Sequence, residues 1–251
     1  MKNSAKPLTR LYFSGELQVG RKCLLPRSQA HHTLRVLRLK TGAELTLFNG
    51  DGAEYSAIIE RAATDGLIVR ILDSRAAERE APIPVTLAQA VSSGERMDFT
   101  LQKAVELGVF AIQPLTTTRS VVHLDASRAL KRVAHWQAVV ISACEQCGRN
   151  RIPVVRPLLA FDSWVRALER RPENALRLLL SPQATTRLGE LQRPAASVTL
   201  LAGPEGGFDP AEESEALVAD FSAVRLGPRV LRTETAALAT LSAIQALWGD
   251  F

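Results

Sequence analysis

Cysteine is scarce in this 251-residue chain: Cys23, Cys144 and Cys147 are an odd three, with no disulfide framework. Cys144 and Cys147 make the chain's one Cys-x-x-Cys, and without a second pair that spacing reads as two small buried residues rather than a redox or zinc site. Long apolar runs are missing as well. No segment approaches a membrane span, and the opening MKNSAKPLTRLYF lacks the apolar core of a signal peptide, so a cytoplasmic protein with no membrane partner is expected. Nucleotide fingerprints are also missing. The glycine-rich stretch GPEGGF (Gly203–Phe208) has no Lys-Ser/Thr to cradle a triphosphate, and it is not a G-x-G-x-x-G at the start of a βαβ unit, which disfavours triphosphates and NAD.

Charge is plentiful but unevenly placed. The first 75 residues hold twelve basic against seven acidic side chains, and the remainder holds nineteen of each, so the whole formal charge of +5 belongs to the N-terminal third. Such a basic module points to a polyanion, foremost a nucleic acid, or else is an ordinary solvated surface. Within it, Ser28–Leu39 (SQAHHTLRVLRL) reads as a helix capped by Ser28, with Leu34, Val36 and Leu37 supplying apolar faces. His31, Arg35 and Arg38, spaced by four and three, share one polar face beside His32, and these four are the candidate RNA contacts; a solvated face is the alternative. No acidic or thiol ligand has compatible spacing, so no metal is expected.

Around this helix, short β runs at 11–13, 22–25, 44–48, 54–59 and 67–72 are divided by turn signals, among them Asn49-Gly50-Asp51-Gly52, a strong hairpin cue. A small barrel-like sheet fits. Ser74–Pro84 is polar, ends in two prolines and reads as a linker. The period then changes. Strands at 85–91, 110–115, 154–155, 176–180 and 198–202 alternate with helices at 95–107, 126–147 and 161–170, the pattern of βαβ crossovers and a parallel sheet. We accordingly expect domains at 1–75 and 85–251, joined by a linker at 76–84.

Two strand ends in the second domain carry loops. The run Val198–Ala202 stops at Gly203-Pro204-Glu205-Gly206-Gly207, and Asp209-Pro210-Ala211-Glu212 opens a helix with an N-cap, a first-turn proline and a capping-box acid. The run Ala223–Leu226 stops at Gly227-Pro228, before a loop holding Arg229, Arg232 and Glu234 and an apolar last helix, Thr235–Trp248, which requires cover from its own core or from a partner. In open parallel sheets ligands bind outside the carboxyl ends of strands, so the two loops mark a small-molecule site. Glu205 there would repel phosphate and tolerate a cationic or neutral ligand, which S-adenosylmethionine is. The loop Thr116–Ser120 also follows a strand end, and its Arg119 is placed to reach an RNA phosphate or to cap a neighbouring helix.

LLAGPEGGF (Leu200–Phe208) followed by LGPRVLRTETA (Leu226–Ala236) resembles the signature of the RsmE family, SPOUT-class methyltransferases of N3 of a specific uridine in 16S rRNA. HHTLRVLR at His31, KAVELGV at Lys103 and EQCGRNRIP at Glu145 extend the likeness over nearly the whole chain. The resemblance implies an α/β protein: an N-terminal PUA-like β-barrel binding RNA, and a C-terminal domain with a deep trefoil knot. It also implies a homodimer acting on 16S rRNA in the small ribosomal subunit. S-adenosylmethionine would be held by Leu180 and Ser181, by Gly203, Glu205, Gly206 and Gly207, and by Leu226, Gly227 and Leu231, with Leu201, Leu226 and Leu231 covering its ring. For the chemistry, Arg232 and Glu234, then Arg229, are the candidates for stabilising the uracil anion or taking the N3 proton, with phosphate anchoring or hydrogen bonds within the knot as the alternative role of the two arginines. A ribose 2′-O methyltransferase of the same class, or an assembly factor that binds rRNA without catalysis, are the competing readings.

Overall fold

The computed structural model describes residues 9–120 and 125–251; Lys2 and Lys6, counted above in the basic third, lie outside them. The chain divides into two units, Met1–Glu80 with Cys144–Ile152, and Ala81–Ala143 with Pro153–Phe251.

In the first unit, β1 (Arg10–Tyr12), β2 (Lys22–Pro26), β3 (Glu44–Phe48), β4 (Ala53–Ala63) and β5 (Gly66–Ala76) form one sheet in the order β1-β3-β4-β5-β2. Alternation decides its faces: Ala57 and Ile59 of β4 and Leu67, Val69 and Ile71 of β5 turn into a core with Leu25, Leu45 and Leu47. Each such Leu, Ile or Val side chain contributes about 1.5–3 kcal/mol on burial. The β3–β4 turn is the glycine cluster, with Gly50 and Gly52 at φ 99° and 97°. Gly66 opposes Pro26, where a Cβ would lie 1.9 Å from the Leu25 carbonyl oxygen, so glycine alone lets β2 close on β5. Because β5 continues to Ala76, Ser74–Ala76 is paired strand rather than linker; a solvated strand end and a linker share the same polar composition.

The expected helix is present but differs. It starts at Arg27, with Pro26 rather than Ser28 at its N-cap, and α1 (Arg27–His31) passes into a π-helical turn, His32–Val36, closed by the Leu37 N–H on the His32 carbonyl at 2.9 Å. The wider turn breaks the 3.6-residue period. Leu34 still packs on the core, whereas Val36 and Leu37 are exposed, and Arg38 has left the helix at φ 56°.

Ion pairs hold the Cys144–Ile152 segment inside this unit. Glu54, 5% exposed, accepts from Arg10, from Arg75 at 2.7 Å and from Arg79 at 2.5 Å. Arg10 also donates to the Gly148 carbonyl at 3.1 Å and to Asn150 Oδ1 at 2.6 Å, and buried Arg149 pairs with Glu80. Burial of Glu54 opposes its charge, but the three guanidinium groups overcome it and lower its pKa to about 2. Nearby, burial pushes the Cys144 thiol up to about 12, which suits a packing residue; Cys147 is only partly buried.

The second unit is built on an all-parallel sheet. Strands β6 (Val85–Ala90), β7 (Ala111–Thr116), β8 (Val154–Val155), β9 (Leu159–Ala160), β10 (Leu176–Leu180), β11 (Val198–Ala202) and β12 (Ser222–Val224) run in the order β12-β10-β11-β6-β7-β8, with β9 also on β7. Helices α2 (Glu95–Glu106), α3 (Ala126–Cys147), α4 (Phe161–Arg166), α5 (Pro210–Val218) and α6 (Thr233–Trp248) accompany it. Phe161, Trp164 and Val165 of α4 and Ala216 of α5 pack with Ala88, Leu179 and Leu201 of the strands. Meanwhile α2 pairs with α6, which lies against β6 and β11 through buried residues that include Ala237, Leu241 and Ile244. Much of the last helix's apolar surface is therefore covered within its own unit. That helix begins at Thr233, two residues earlier than expected, so Glu234 stands in its first turn rather than in the preceding loop.

A glycine-walled cleft as the candidate active site

Strands β12, β10 and β11 are adjacent and parallel, so the loops after their carboxyl ends open at one edge of the sheet. Together they enclose a cleft of about 680 Å³. Leu180 and Ser181 enter it from β10, and Gly203, Glu205, Gly206 and Gly207 from β11. Leu226, Gly227, Arg229, Leu231 and Arg232 follow from β12, and Glu234 from the start of α6. Arg119 reaches the same cleft, with Nη1 donating to the Gly206 carbonyl at 3.0 Å and Nη2 3.8 Å from Asp209. Leu201 does not line it: fully buried, it belongs to the core with Phe161 and Phe208, and its neighbour Ala202 meets the cleft instead. In a strand covered on both faces, hydrophobicity alone gives no sign of which face meets a ligand.

The glycine loop is held from several sides. Asp209 caps α5 as expected, accepting from the Ala211 N–H at 3.0 Å, while Glu212 closes the capping box from the Asp209 N–H at 2.9 Å. Glu212 also accepts from the Thr118 N–H at 2.7 Å, which ties the Thr116–Ser120 loop to the helix start. Gly207 has φ 68°, a conformation side chains resist, and a Cβ on Gly203 would sit 3.2 Å from the Phe208 ring.

The electrostatics correct one expectation. Glu205 does not face a ligand as a bare charge; its Oε1 accepts from the Ser93 N–H and hydroxyl, both at 3.0 Å, and from Arg96 at 2.9 Å. Burial works to raise its pKa, but its own N–H, the Ser93 N–H and the Arg96 guanidinium prevail and hold the carboxyl below its ordinary range. Five arginines and three glutamates line the cleft, so it does not repel phosphate as Glu205 alone suggested. Arg96, Arg225 and Thr233 belong to the lining although sequence reasoning passed over them, and Arg96 was detectable only as an arginine at the start of a helix that follows a strand end.

Two groups stand out for chemistry. Arg232 is exposed, on extended backbone at the N-cap of α6. Glu234 lies in the first turn, where a carboxylate is favoured by the helix dipole, and its buried Oε2 has no hydrogen-bond partner among the described residues. Buried polar atoms are almost always satisfied, so an orphaned carboxylate oxygen in a cleft marks a group free for a ligand or a proton.

The candidate RNA contacts lie in the first unit. His31 and Arg35 line a shallow groove of about 370 Å³ with Arg27, over a floor of Ala30, Leu34 and Ala62. His32 and Arg38 are not part of it: the π-helical turn and the helix end at Val36 remove the single face that the spacing implied.

Comparison with known proteins matches both units. Residues 79–245 match the family described as RNA methyltransferase domain, and residues 25–72 the RNA methyltransferase PUA domain. The chain is 35% identical to ribosomal RNA small subunit methyltransferase E of Buchnera aphidicola subsp. Schizaphis graminum, over 98% of each protein. With the protein of that name from Bacillus subtilis it shares 31%, over 86% of each. The crystal structure of ribosomal RNA small subunit methyltransferase E from Neisseria gonorrhoeae, bound to S-adenosylmethionine, is 42% identical and superposes with a TM-score of 0.89, covering 98% of this chain and all of that one. A Legionella pneumophila structure with the same cofactor gives 0.92 at 41% identity, over 98% of this chain and 100% of that one.

Proposed function

The chain belongs to the family of ribosomal RNA small subunit methyltransferase E, and on that premise we propose that its cleft takes S-adenosylmethionine and methylates N3 of a uridine in small-subunit ribosomal RNA. The observation that carries this reading is the convergence of three strand-end loops on one cleft with Arg232 and an unpartnered Glu234 oxygen at its wall. Glycine at 203, 206 and 207 leaves backbone accessible where a flat adenine and ribose require hydrogen bonds, and Leu226 and Leu231 offer apolar cover.

S-adenosylmethionine supplies a methyl group activated by its positive sulfur. The rest falls to the protein. Uracil N3 is protonated at neutral pH and has no free lone pair, so it attacks only as its N–H proton leaves. Arg232, with Arg229 beside it, stabilises the negative charge that spreads to O2 and O4. Glu234, whose Oε2 has acceptor capacity to spare, takes the proton; the N3–CH3 bond forms as the sulfur–methyl bond breaks.

Basic side chains in both units serve the RNA: Arg27, His31 and Arg35 in the groove, and Arg119 with the other arginines of the cleft. The proposed knot agrees with three neighbouring strand ends sending their loops into one cleft. The proposed homodimer uses the exposed apolar side chains Phe110, Leu247 and Phe251, at the end of the α2–α6 pair where Gln245 bonds both the Leu107 carbonyl and the Phe251 N–H. No helix among the described residues is long and apolar enough to cross a membrane, and a cytoplasmic location is part of the same proposal.

The deciding experiment incubates small ribosomal subunits lacking the modification with the protein and methyl-labelled S-adenosylmethionine, then identifies the labelled nucleoside by mass spectrometry. 3-Methyluridine is the expected product. A 2′-O-methyl nucleoside would move the activity to ribose, and RNA binding without label would make the protein an assembly factor.

A further inference from the structure

A buried polar residue beneath the cleft has no part in the chemistry above. Gln89, the fifth residue of β6, is fully buried in the strand between β11 and β7. Its amide nitrogen donates to the neighbouring Ala90 carbonyl at 3.0 Å and to Thr233 Oγ1 at 3.1 Å. The Thr233 hydroxyl in turn donates to the Gly203 carbonyl. A hydroxyl has one proton, so with that proton on Gly203 it must accept from Gln89, and the direction of the chain is fixed. Gly203 is the first residue of the glycine loop, and Thr233 is the first residue of α6, between Arg232 and Glu234. One relay thus joins a central strand, the proposed cofactor loop and the helix start that carries both proposed catalytic side chains. It is largely buried and short of alternatives: Thr233 is 9% exposed, Gln89 0%, and Gln89 Oε1 has no partner among the described residues.

We propose that Gln89 and Thr233 are positioning residues, which set the start of α6, and with it Arg232 and Glu234, against the loop that holds the cofactor. The proposal rests on the methyltransferase reading of the cleft. It requires a donor at 89 and a hydroxyl at 233. Glutamate at 89 fails that requirement in either state: ionised it only accepts, and as the neutral acid favoured by burial it has one O–H, too few for both the Ala90 carbonyl and Thr233. Methionine at 89 and valine at 233 keep the volume and remove the hydrogen bonds.

The test uses full-length wild type, Gln89→Met, Gln89→Glu, Thr233→Val, Thr233→Ser and the Q89M/T233V double variant. Each is assayed for S-adenosylmethionine affinity by calorimetry and for methyl transfer to small ribosomal subunits at saturating cofactor and RNA. Displacing catalytic groups by a fraction of an ångström to an ångström costs on the order of tenfold to a hundredfold in rate, so Q89M, Q89E and T233V should each lose about that much kcat while KM for RNA stays near wild type. Thr233→Ser should regain most of the loss. Because the two residues act through one relay, the double variant should be no slower than the slower single variant, rather than show the product of the two losses. Rates are taken per folded molecule from the far-ultraviolet circular dichroism of each sample, and should Q89M fail to fold, T233V against T233S carries the test alone. Wild-type turnover in T233V, or independent multiplicative losses in the double variant, overturns the relay. A wild-type protein that transfers no methyl at all overturns the reading beneath it.

Discussion

Glu54 in the first unit and Glu234 in the second are both carboxylates among arginines, yet they are used in opposite ways. Glu54 is saturated: three guanidinium groups share its two oxygens, and its charge is fixed down to about pH 2. Glu234 keeps one buried oxygen with no partner. Saturation makes a carboxylate a structural tie, since every lone pair already has a proton donor and none is left for a substrate. An unsatisfied oxygen costs stability and keeps the group available. Glu205 stands between the two: Ser93 and Arg96 take its Oε1, although it sits in the cleft and is more exposed than Glu54.

Changing the available group and its arginine should have the largest effect. Arg232→Ala is expected to lower methyl transfer at saturating RNA and cofactor by about 10²–10³-fold, the usual cost of removing one donor that stabilises developing negative charge. Raising the pH should restore part of the rate, because hydroxide then does some of the deprotonation. Glu234→Gln should remove the acidic limb of the pH–rate profile. Normal turnover at saturation in R232A, with weaker RNA binding alone, would assign the arginine to phosphate anchoring and erase the contrast with Glu54.

The cofactor loop comes next. At Gly206 a Cβ would meet the Arg119 side chain at 3.4 Å, already contact distance, so the branches of valine must displace either the arginine or whatever lies in the cleft. Gly206→Val should weaken S-adenosylmethionine binding by about tenfold or more in calorimetry, on the order of 1.4 kcal/mol. Unchanged affinity would place the cofactor elsewhere.

For the saturated carboxylate the expected loss is of stability. Glu54→Gln leaves three arginines short of a counter-charge and should destabilise the first unit by about 3 kcal/mol at neutral pH, measured by urea unfolding followed through hydrogen exchange of β4 and β5 amides. The sign of the pH dependence follows from the lowered pKa. A carboxyl at about 2 in the fold and near 4.5 in the unfolded chain stabilises fully above the higher value, and the contribution fades as pH falls toward the lower one. Wild type should therefore lose stability across that window more steeply than E54Q. Parallel curves would mean that Glu54 is not the tie it looks.

The same distinction explains what the sequence made legible. The alternation of strands and helices, the glycine turn after β11 and the Asp209-Pro210 helix start are local signals, and the structure carries each of them. The family expected from the two glycine stretches is the family matched. What stayed hidden depends on partners distant in sequence. Arg149 and Asn150 are polar residues just after a helix end, and they are buried because Glu80, Arg10 and the Ala77 carbonyl meet them there. Glu205 looked like a bare charge in the cleft because its partners, Ser93 and Arg96, come from the turn after β6 and the start of α2, more than a hundred residues away. Leu201 sits in a strand covered on both faces, where hydrophobicity carries no direction. Glu234 was read as loop because helix ends are set to within a residue or two by capping, and Arg232 offers no side-chain cap to read.

The smallest expected effect concerns the groove, and it tests whether helical spacing or the observed geometry identifies the RNA face. By spacing, Arg35 and Arg38 are equivalent. In the structure Arg35 lines the groove with Arg27 and His31, whereas Arg38 has left the helix at φ 56°. An arginine that neutralises one phosphate releases about one condensed counterion, so Arg35→Ala should weaken binding to small-subunit RNA several-fold and lower the slope of log K against log salt by about 0.7–0.9. Arg38→Ala should change both quantities less, and neither variant should alter S-adenosylmethionine affinity, because the cofactor cleft is built from other residues in the second unit. Salt-dependent filter binding resolves a slope change of that size. Equal losses in the two variants would favour a diffuse basic surface over a groove, and no loss in either would leave this face merely solvated.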